Sequence, residues 1–463
     1  MIKLPESFLV SLENVKGFER ASFLQVHEEG EQVTSVRINP FKVSGKEDLF
    51  LSNSLSEPLQ LTPVPWSKYG YYLKHRPSFT FDPLFHAGCY YVQDASSMFL
   101  EQALSQQTDL SLPLKVLDLC AAPGGKSTHI QSLLSKESLL VSNEVIRSRS
   151  NILVDNIMKW GCSNVIVTNN DPTAFRKLPG YFDVIVVDAP CSGSGLFRRD
   201  EEAINEWSLN NVQLCAQRQK RILADALPAL KENGLLIYST CSYSAEEDEL
   251  NADWLVQEMG MENVRLQINN EWNIIETQSP VTGATGYRFY PDKVKGEGLY
   301  ISCFRKRSEA GSTKIRSAKT EQAAAQEKNI IKSWIKDGQF ILLKVQSDIY
   351  ALPERFVQDY ADLKTVLNVI YFGIKLGQVM KNKLIPDHAL ALSLILSDEI
   401  LSVELTYEEA IRYLQRQDLS IKPDSLGWQT VRFKGHNLGW INVLSNRINN
   451  YYPKELRILK QSI

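Results

Sequence analysis

The chain has 463 residues, of which 43% are hydrophobic and 23% charged; these are ordinary proportions for a globular protein and exclude a mostly disordered one. At about 150 residues per domain, the length suggests roughly three domains. The net charge of −3 divides unevenly: residues 1–300 carry 27 Lys/Arg against 37 Asp/Glu, and residues 301–463 carry 24 against 17, so the C-terminal part suits contact with a polyanion.

No apolar run approaches the ~18 residues that a membrane span requires. The N-terminus, MIKLPESFLVSLENVKGFERAS, scatters charges where a signal peptide needs an apolar stretch, so a cytoplasmic protein is expected. Seven cysteines occur at irregular spacing with no CxxC pair, which suggests neither a disulfide framework nor a zinc ribbon. The six histidines form no HxxxH or HExxH pattern, and no catalytic metal is expected.

Between residues 115 and 305, short apolar runs alternate with helix-like stretches. Strands are expected at VLDLC ending at Cys120, LLVSNE ending at Glu144, NVIVTNND ending at Asp171, FDVIVVDAP (182–190) and GLLIYSTCS (234–242). Helices are expected at 147–160, about 210–231, and 246–259. Such alternation predicts a parallel sheet covered by helices, an open α/β domain whose ligands bind outside the C-terminal strand ends. Asp118, Glu144, Asp171, Asp188 with Cys191, and Cys241 stand at those ends and would line one crevice. Beyond the sheet, Ser308 to Gln326 reads SEAGSTKIRSAKTEQAAAQ, polar and aperiodic, and is expected as a linker.

The first strand runs into DLCAAPGGKSTHI (118–130). A Gly-rich turn opening a helix presents backbone N–H groups to an anionic or polar ligand. The P-loop pattern fails because Cys120 stands where its first glycine belongs. GxGxxG fails because Ala121, Ala122 and Pro123 replace the early glycines. One part of that second logic survives: Glu144 closes the second strand, placed for the two hydroxyls of a ribose, and Asp171 is placed for an adenine amino group. The ligand reads as a nucleoside without a pyrophosphate, which S-adenosylmethionine satisfies. The alternative is a tight structural turn with unrelated surface acids.

DAPCSGSG (188–195) follows the fourth strand and STCSY (239–243) the fifth, which sets Cys191 and Cys241 at neighbouring strand mouths. A single cysteine there is ordinarily a packing residue. Two beside a methyl-donor loop fit nucleophilic chemistry. C5 of cytosine is a poor carbon nucleophile; a thiolate adding to C6 makes an enamine whose C5 can attack an electrophilic methyl, after which the C5 proton and the thiolate leave. A free thiol is only slightly ionised at neutral pH, so the pocket is expected to lower its pKa. Asp188 is placed to stabilise the adduct near N3/N4, and Lys126 to hydrogen-bond the base; the plain alternative for Lys126 is a surface lysine at a helix start. The target nucleotide must be single-stranded or flipped.

DLCAAPGGKS, DAPCSGSG followed by Phe197-Arg198-Arg199-Asp200, and STCSY together resemble the motifs of the RNA 5-methylcytosine methyltransferases of the NOL1/NOP2/Sun family. The resemblance implies that Cys241 attacks C6 while Cys191 assists elimination and release. It also implies that Ala121, Ala122, Pro123, Gly124, Gly125, Lys126, Ser127, Glu144, Asp171 and Asp188 hold S-adenosyl-L-methionine. Ser127 and Glu201 depart from the Thr and Pro of many members. Upstream, SVRINPFK (35–42) and HAGCYYVQDASSM (86–98) look like the family's N-terminal module and the segment leading into the sheet. Downstream, GHNLGWINVLSNRINNYYPKELR (435–457) is similar to the PUA-like RNA-binding domain of RsmF-type bacterial 16S rRNA methyltransferases.

The resemblance thus implies a Rossmann-like S-adenosylmethionine-dependent methyltransferase domain at 86–307, preceded by an α+β RNA-recognition module at 1–85. The linker at 308–326, an intermediate domain at 327–400 and a PUA-like RNA-binding domain at 401–463 follow. The expected activity is methyl transfer to cytosine C5 in the decoding region of 16S rRNA, on rRNA or the small ribosomal subunit, by a monomer without membrane or protein partner. Arg432, Lys434, Arg447, Lys454 and Arg457, interleaved with Trp440, Tyr451 and Tyr452, would offer cations for phosphate and aromatics for bases. Arg198 and Arg199 would grip backbone phosphate. Two rival readings are an exocyclic-amine methyltransferase and a non-catalytic RNA-binding ribosome assembly factor. The first lacks its Asn/Asp-Pro-Pro-aromatic loop, replaced by Asp188-Ala189-Pro190-Cys191; the presence of both cysteines argues against the second.

Overall fold

The computed structural model describes residues 3–44, 61–309, 311 and 315–460. Helices α1 (Glu6–Leu12) and α2 (Arg20–Glu29) precede an antiparallel sheet of β1 (Thr34–Ile38), β2 (Leu61–Pro63), β3 (Gly70–Leu73) and β4 (Tyr90–Val92), ordered β2-β3-β1-β4, with α3 (Pro83–His86) leading into β4.

After α4 (Leu100–Gln107) comes the large sheet. Its parallel strands are β5 (Lys115–Asp118), β6 (Leu139–Asn143), β7 (Val165–Thr168), β8 (Phe182–Asp188) and β9 (Leu230–Thr240). They are joined by α5 (Gly125–Leu133), α6 (Arg147–Trp160), α7 (Glu201–Glu206) and α8 (Leu209–Ala226). Then follow α9 (Glu249–Gln257), β10 (Met261–Val264), β11 (Ile275–Gln278), β12 (Thr285–Phe289) and β13 (Leu299–Lys306). The parallel order is β7-β6-β5-β8-β9, with β13 antiparallel beside β9. The order reverses between β5 and β8, and a crevice opens beyond the strand ends at such a reversal.

The apolar run in β8 is explained by burial on both faces. Val184 and Val186 join Val116 and Ile237 in the core on one side of the sheet, and Ile185 and Val187 join Leu117 and Leu236 on the other. Alternate residues point to opposite faces, so every position along this stretch must be apolar.

The next region holds β14 (Glu321–Gln322), α10 (Ala325–Ile331), β15 (Phe340–Val345), β16 (Asp348–Pro353), α11 (Val357–Val366), β17 (Val369–Phe372), β18 (Ile374–Met380), β19 (Lys383–Pro386) and α12 (His388–Leu392). Its sheet runs β14-β15-β16-β18-β19. Strand β17 leaves that sheet and pairs antiparallel with β7, covering the edge of the large sheet. Within the expected linker, residues 310 and 312–314 lie outside the described residues. Its end is structured: Glu321 and Gln322 pair with Lys344 and Leu343. An exposed edge strand is held by backbone hydrogen bonds, so its polar side chains carry no apolar signal.

The C-terminal module comprises β20 (Ser402–Glu404), α13 (Tyr407–Leu414), β21 (Gly427–Phe433), β22 (His436–Val443) and β23 (Ile448–Asn450). Its core is continuous with that of the N-terminal module: Val36, Leu84 and Cys89 pack in one cluster with Tyr413, Val431 and Leu438. The Tyr407 hydroxyl donates to the Phe81 carbonyl at 3.0 Å. Two of the expected base-stacking aromatics belong to cores instead. Trp440 and Tyr452 are buried, and the Trp440 indole N–H donates to the Asp387 carbonyl at 2.8 Å; Tyr451 is exposed. No helix among the described residues is long and apolar enough to cross a membrane.

Candidate active site

Strand β5 delivers Asp118 to the crevice, and residues 119–124 turn back into α5. The turn is fixed through its backbone. Ala121 N–H donates to the Asn143 carbonyl at 2.8 Å, Arg149 Nη2 to the Ala122 carbonyl at 2.8 Å, and Asn156 Nδ2 to the Pro123 carbonyl at 2.8 Å. Gly124 sits at φ +112°, a conformation a side chain opposes, and α5 starts at the next residue. The loop's carbonyls are therefore engaged by the scaffold, while the first turn of the helix begins at Gly125.

Asp118 is fully buried. Its Oδ2 accepts from the Ser127 hydroxyl at 2.6 Å, and its Oδ1 has no hydrogen-bond partner. Burial pushes this carboxyl up to about 7; Ser127 opposes, Asp188 adds, Lys126 opposes and Glu144 adds. Ser127, expected to touch the cofactor, is turned inward onto Asp118 and Ser142. Glu144 is nearly buried; its Oε1 accepts from Ile146 N–H at 2.9 Å. Asp171 is half-buried and caps the 3₁₀ turn Pro172–Lys177, accepting from Thr173 N–H at 3.0 Å, with Arg221 at 3.4 Å from its other oxygen. The Thr173 N–H and its hydroxyl hold the Asp171 carboxyl below the usual carboxylate range, against slight burial and with help from Arg221.

On the other side of the reversal, Asp188 ends β8. Its Oδ2 lies 2.7 Å from Lys126 Nζ, and its Oδ1 accepts from the Ser239 hydroxyl at 2.7 Å. Lys126 is not a surface lysine. Burial pulls its ammonium down, but Asp188, through charge and hydrogen bond, and then Asp118 outweigh that and hold it above the ordinary lysine value. The two cysteines meet: Cys191 Sγ and Cys241 Sγ are 2.9 Å apart. Gly195 brings the loops together, its N–H donating to the Cys241 carbonyl at 2.7 Å. A Cβ at that position would lie 2.7 Å from the carbonyl oxygens of both Cys241 and Gly298.

The Cys191 thiol is shifted away from ionisation. The hydrogen bond with Cys241, burial, and the negative charges of Cys241 and Glu247 push this thiol well up. Of the paired arginines, Arg198 is not placed to grip phosphate. Arg198 is buried, donates to the Glu31 carbonyl and lies 3.7 Å from Glu297, whose other oxygen takes Arg199 Nε at 3.0 Å. Arg198 locks the cysteine loop to the N-terminal module, while Arg199, exposed beside it, reaches the Val33 carbonyl at 3.2 Å. Glu247, which sequence reasoning missed, is buried among the cysteine loops, and Asp118, read only as a strand end, carries the crevice's unpartnered oxygen.

The family model for 16S rRNA methyltransferase RsmB/F matches residues 104–305. Those for the N-terminal domain of 16S rRNA methyltransferase RsmF and for the methyltransferase RsmF PUA domain match 4–95 and 400–458. The ribosomal RNA small subunit methyltransferase F of Vibrio parahaemolyticus is 32% identical over 443 residues, covering 91% of each chain. The chain belongs to the RsmF family. The Vibrio vulnificus member is 30% identical over 98% of each chain. A methyltransferase homolog protein from Pyrococcus horikoshii is 27% identical with a TM-score of 0.52, covering 65% of this chain and 100% of its own. NSun6 from Pyrococcus horikoshii with SFG shares the fold at a TM-score of 0.55 and 20% identity, covering 66% and 99%. The RsmF family uses S-adenosylmethionine as methyl donor. The crevice fits that group, because an unpartnered, buried carboxylate oxygen at Asp118 calls for a cationic or N–H donor such as an amino-acid ammonium.

Proposed function

We propose that this chain methylates C5 of a cytosine in small-subunit rRNA through a transient bond between Cys241 and C6. The observation that carries the reading is the 2.9 Å approach of two thiols at adjacent strand mouths, beside the Lys126–Asp188 pair. S-adenosylmethionine supplies an electrophilic sulfonium methyl when bound. Asp118 and the N–H groups of Ala122 and of residues 124–127 would hold its amino-acid end, Glu144 the ribose and Asp171 the adenine.

Cys191, whose thiol keeps its proton, can donate a hydrogen bond to the Cys241 sulfur. As Cys241 bonds C6, charge moves into the ring, where the Lys126 ammonium stabilises it. Asp188, held by Lys126 and Ser239, accepts from the N4 amino group. After transfer water takes the C5 proton, the electron pair of that C–H bond restores the C5–C6 double bond, and Cys241 leaves C6 as a thiolate that accepts a hydrogen bond from Cys191.

The relatives' names supply the substrate class, and the decoding region of 16S rRNA is the part of it we assign. Exposed Arg447, Tyr451, Lys454 and Arg457 supply a surface for RNA. We read the chain as a cytoplasmic monomer divided near residues 85, 307, 326 and 400. The rival reading, a non-catalytic assembly factor, leaves the paired thiols without a purpose. Denaturing gels with RNA and S-adenosylmethionine decide between them: Cys191→Ala should accumulate a covalent protein–RNA species and Cys241→Ala should lose it. Methylation by Cys241→Ala, or failure of the wild type to bind S-adenosylmethionine by calorimetry, would refute the reading.

A further inference from the structure

Glu247 lies between β9 and α9, wholly inside the protein. Its carboxylate receives four hydrogen bonds. Oε1 accepts from Ser192 N–H at 2.9 Å and Gln219 Nε2 at 3.0 Å; Oε2 accepts from the Ser192 hydroxyl at 2.5 Å and the Ser242 hydroxyl at 2.6 Å. Ser192 directly follows Cys191, and Ser242 directly follows Cys241. A single oxygen atom therefore ties together the two loops at the residues next to the two sulfurs.

The brace is itself anchored. The Tyr238 hydroxyl, on β9, donates to the Glu247 carbonyl at 2.5 Å, and Asn251 Nδ2 bridges the Gln219 side chain and the Tyr238 hydroxyl at 2.8 and 3.0 Å. No Lys or Arg pairs with Glu247 among the described residues. Burial pushes this carboxyl above its ordinary value against the pull of its hydrogen bonds. A buried acid without a cation is an unfavourable way to fill space. Its hydrogen bonds, however, fix geometry in a way an apolar side chain cannot.

We propose that Glu247 is a positioning residue for the reaction, holding Cys191 and Cys241 at the separation their successive roles require. The proposal rests on the reading of these cysteines as the reacting thiols. A loop linked only through its own backbone could let either sulfur drift by an ångström, and such a displacement can cost about 100-fold in rate. Removing the brace should therefore act on the chemical steps and spare the binding of the donor, whose contacts lie across the strand-order reversal on Asp118, Glu144 and the loop before α5.

The test is a series of full-length variants assayed for kcat, for KM toward each substrate and for donor affinity by calorimetry. Glu247→Ala should lower kcat about 100-fold while leaving KM for S-adenosylmethionine within about threefold. Glu247→Gln should recover to within about tenfold of wild type, because its carbonyl can replace Oε1 and its amide can donate to the two serine hydroxyls, which also accept. A Glu247→Ala protein that binds the donor normally and turns over like wild type would overturn the proposal. So would Glu247→Gln remaining as slow as Glu247→Ala, since charge rather than the brace would then matter. Should Glu247→Ala fail to fold, the Ser192→Ala/Ser242→Ala double variant decides. It removes both hydroxyls from Oε2; slow turnover with unchanged donor affinity supports the brace, and wild-type turnover overturns it. Adduct trapping with the cysteine variants tests the underlying reading separately, so either can fail alone.

Discussion

Replacing Asp118 with Asn should move stability and donor affinity in opposite directions, and the pH dependence follows from the structure. Asp118 is wholly buried and keeps its proton up to about pH 7, whereas an unfolded chain releases it near 3.8. In the window between, the folded protein holds a proton that the unfolded chain has lost. The carboxyl's favourable contribution is therefore complete below about pH 4 and disappears as pH rises to about 7. A shift of about three pH units at ~1.4 kcal/mol each sets a ceiling of about 4 kcal/mol, and relaxation around a buried charge brings a realistic figure to about 2 kcal/mol. Asparagine retains an acceptor for the Ser127 hydroxyl and cannot ionise. Without ligand, Asp118→Asn should be about 2 kcal/mol more stable than wild type at pH 8, with less than half of that difference left at pH 4, by urea unfolding at the two pH values. It should bind S-adenosylmethionine at least tenfold more weakly, about 1.4 kcal/mol, having lost the charge facing the ligand's ammonium. In wild type, donor binding near pH 7 should release a proton, visible as a buffer-dependent calorimetric heat. A stability difference that does not change with pH, or an unaltered donor affinity, would refute the reasoning.

Three further changes address other parts of the structure. Lys126→Met removes the cation 2.7 Å from Asp188; kcat for methyl transfer from labelled donor should fall about 10²–10³-fold, the range for losing one preorganised stabilising group. Arg288→Met strands Glu249 and Asp248, which lie 2.5 and 3.0 Å from its guanidinium in the interior, and should cost about 3–5 kcal/mol in denaturant unfolding. Trp440→Ala should cost about 3–5 kcal/mol through the cavity it leaves, while RNA affinity per folded molecule stays unchanged, because the ring is core and not a base platform.

The catalytic sheet was legible in the sequence because parallel strands buried on both faces need uninterrupted apolar residues, as Val184 to Val187 do. The expected helix at 147–160 is α6, whose Leu153, Ile157 and Trp160 face the core. The site's chemistry-bearing residues were legible as strand-end polar groups, and the structure sets Cys191 against Cys241 and Lys126 against Asp188. What stayed hidden depends on contacts made over long sequence separations. The pairing of β17 with β7 joins residues about 200 apart and leaves no local periodicity. Arg198 reads as a free cation until Glu297 is placed beside it. Glu247 looks like one more acid in SAEEDEL before a helix. Only the approach of Ser192 and Ser242 distinguishes it from Glu246.

Those long-range contacts also connect the two ends of the crevice. Arg37, on β1 of the N-terminal module, is wholly buried, and burial pulls its guanidinium down to about 9. It donates to the Thr128 hydroxyl at 2.6 Å, the Ser132 hydroxyl at 3.0 Å and the Gly125 carbonyl at 3.3 Å, and its guanidinium lies 4.6 Å from the Trp160 ring centroid. Three of these partners belong to α5, the helix that opens the cofactor loop. The same module shares its core with the C-terminal module and is held to the cysteine loop through Arg198. A guanidinium buried on neutral acceptors tolerates little displacement, because its donors have no water to turn to. The N-terminal module is thus fastened to the cofactor helix, the cysteine loop and the C-terminal module at once. A displacement of that module would therefore bear on α5 and on the loop that carries Cys191 together.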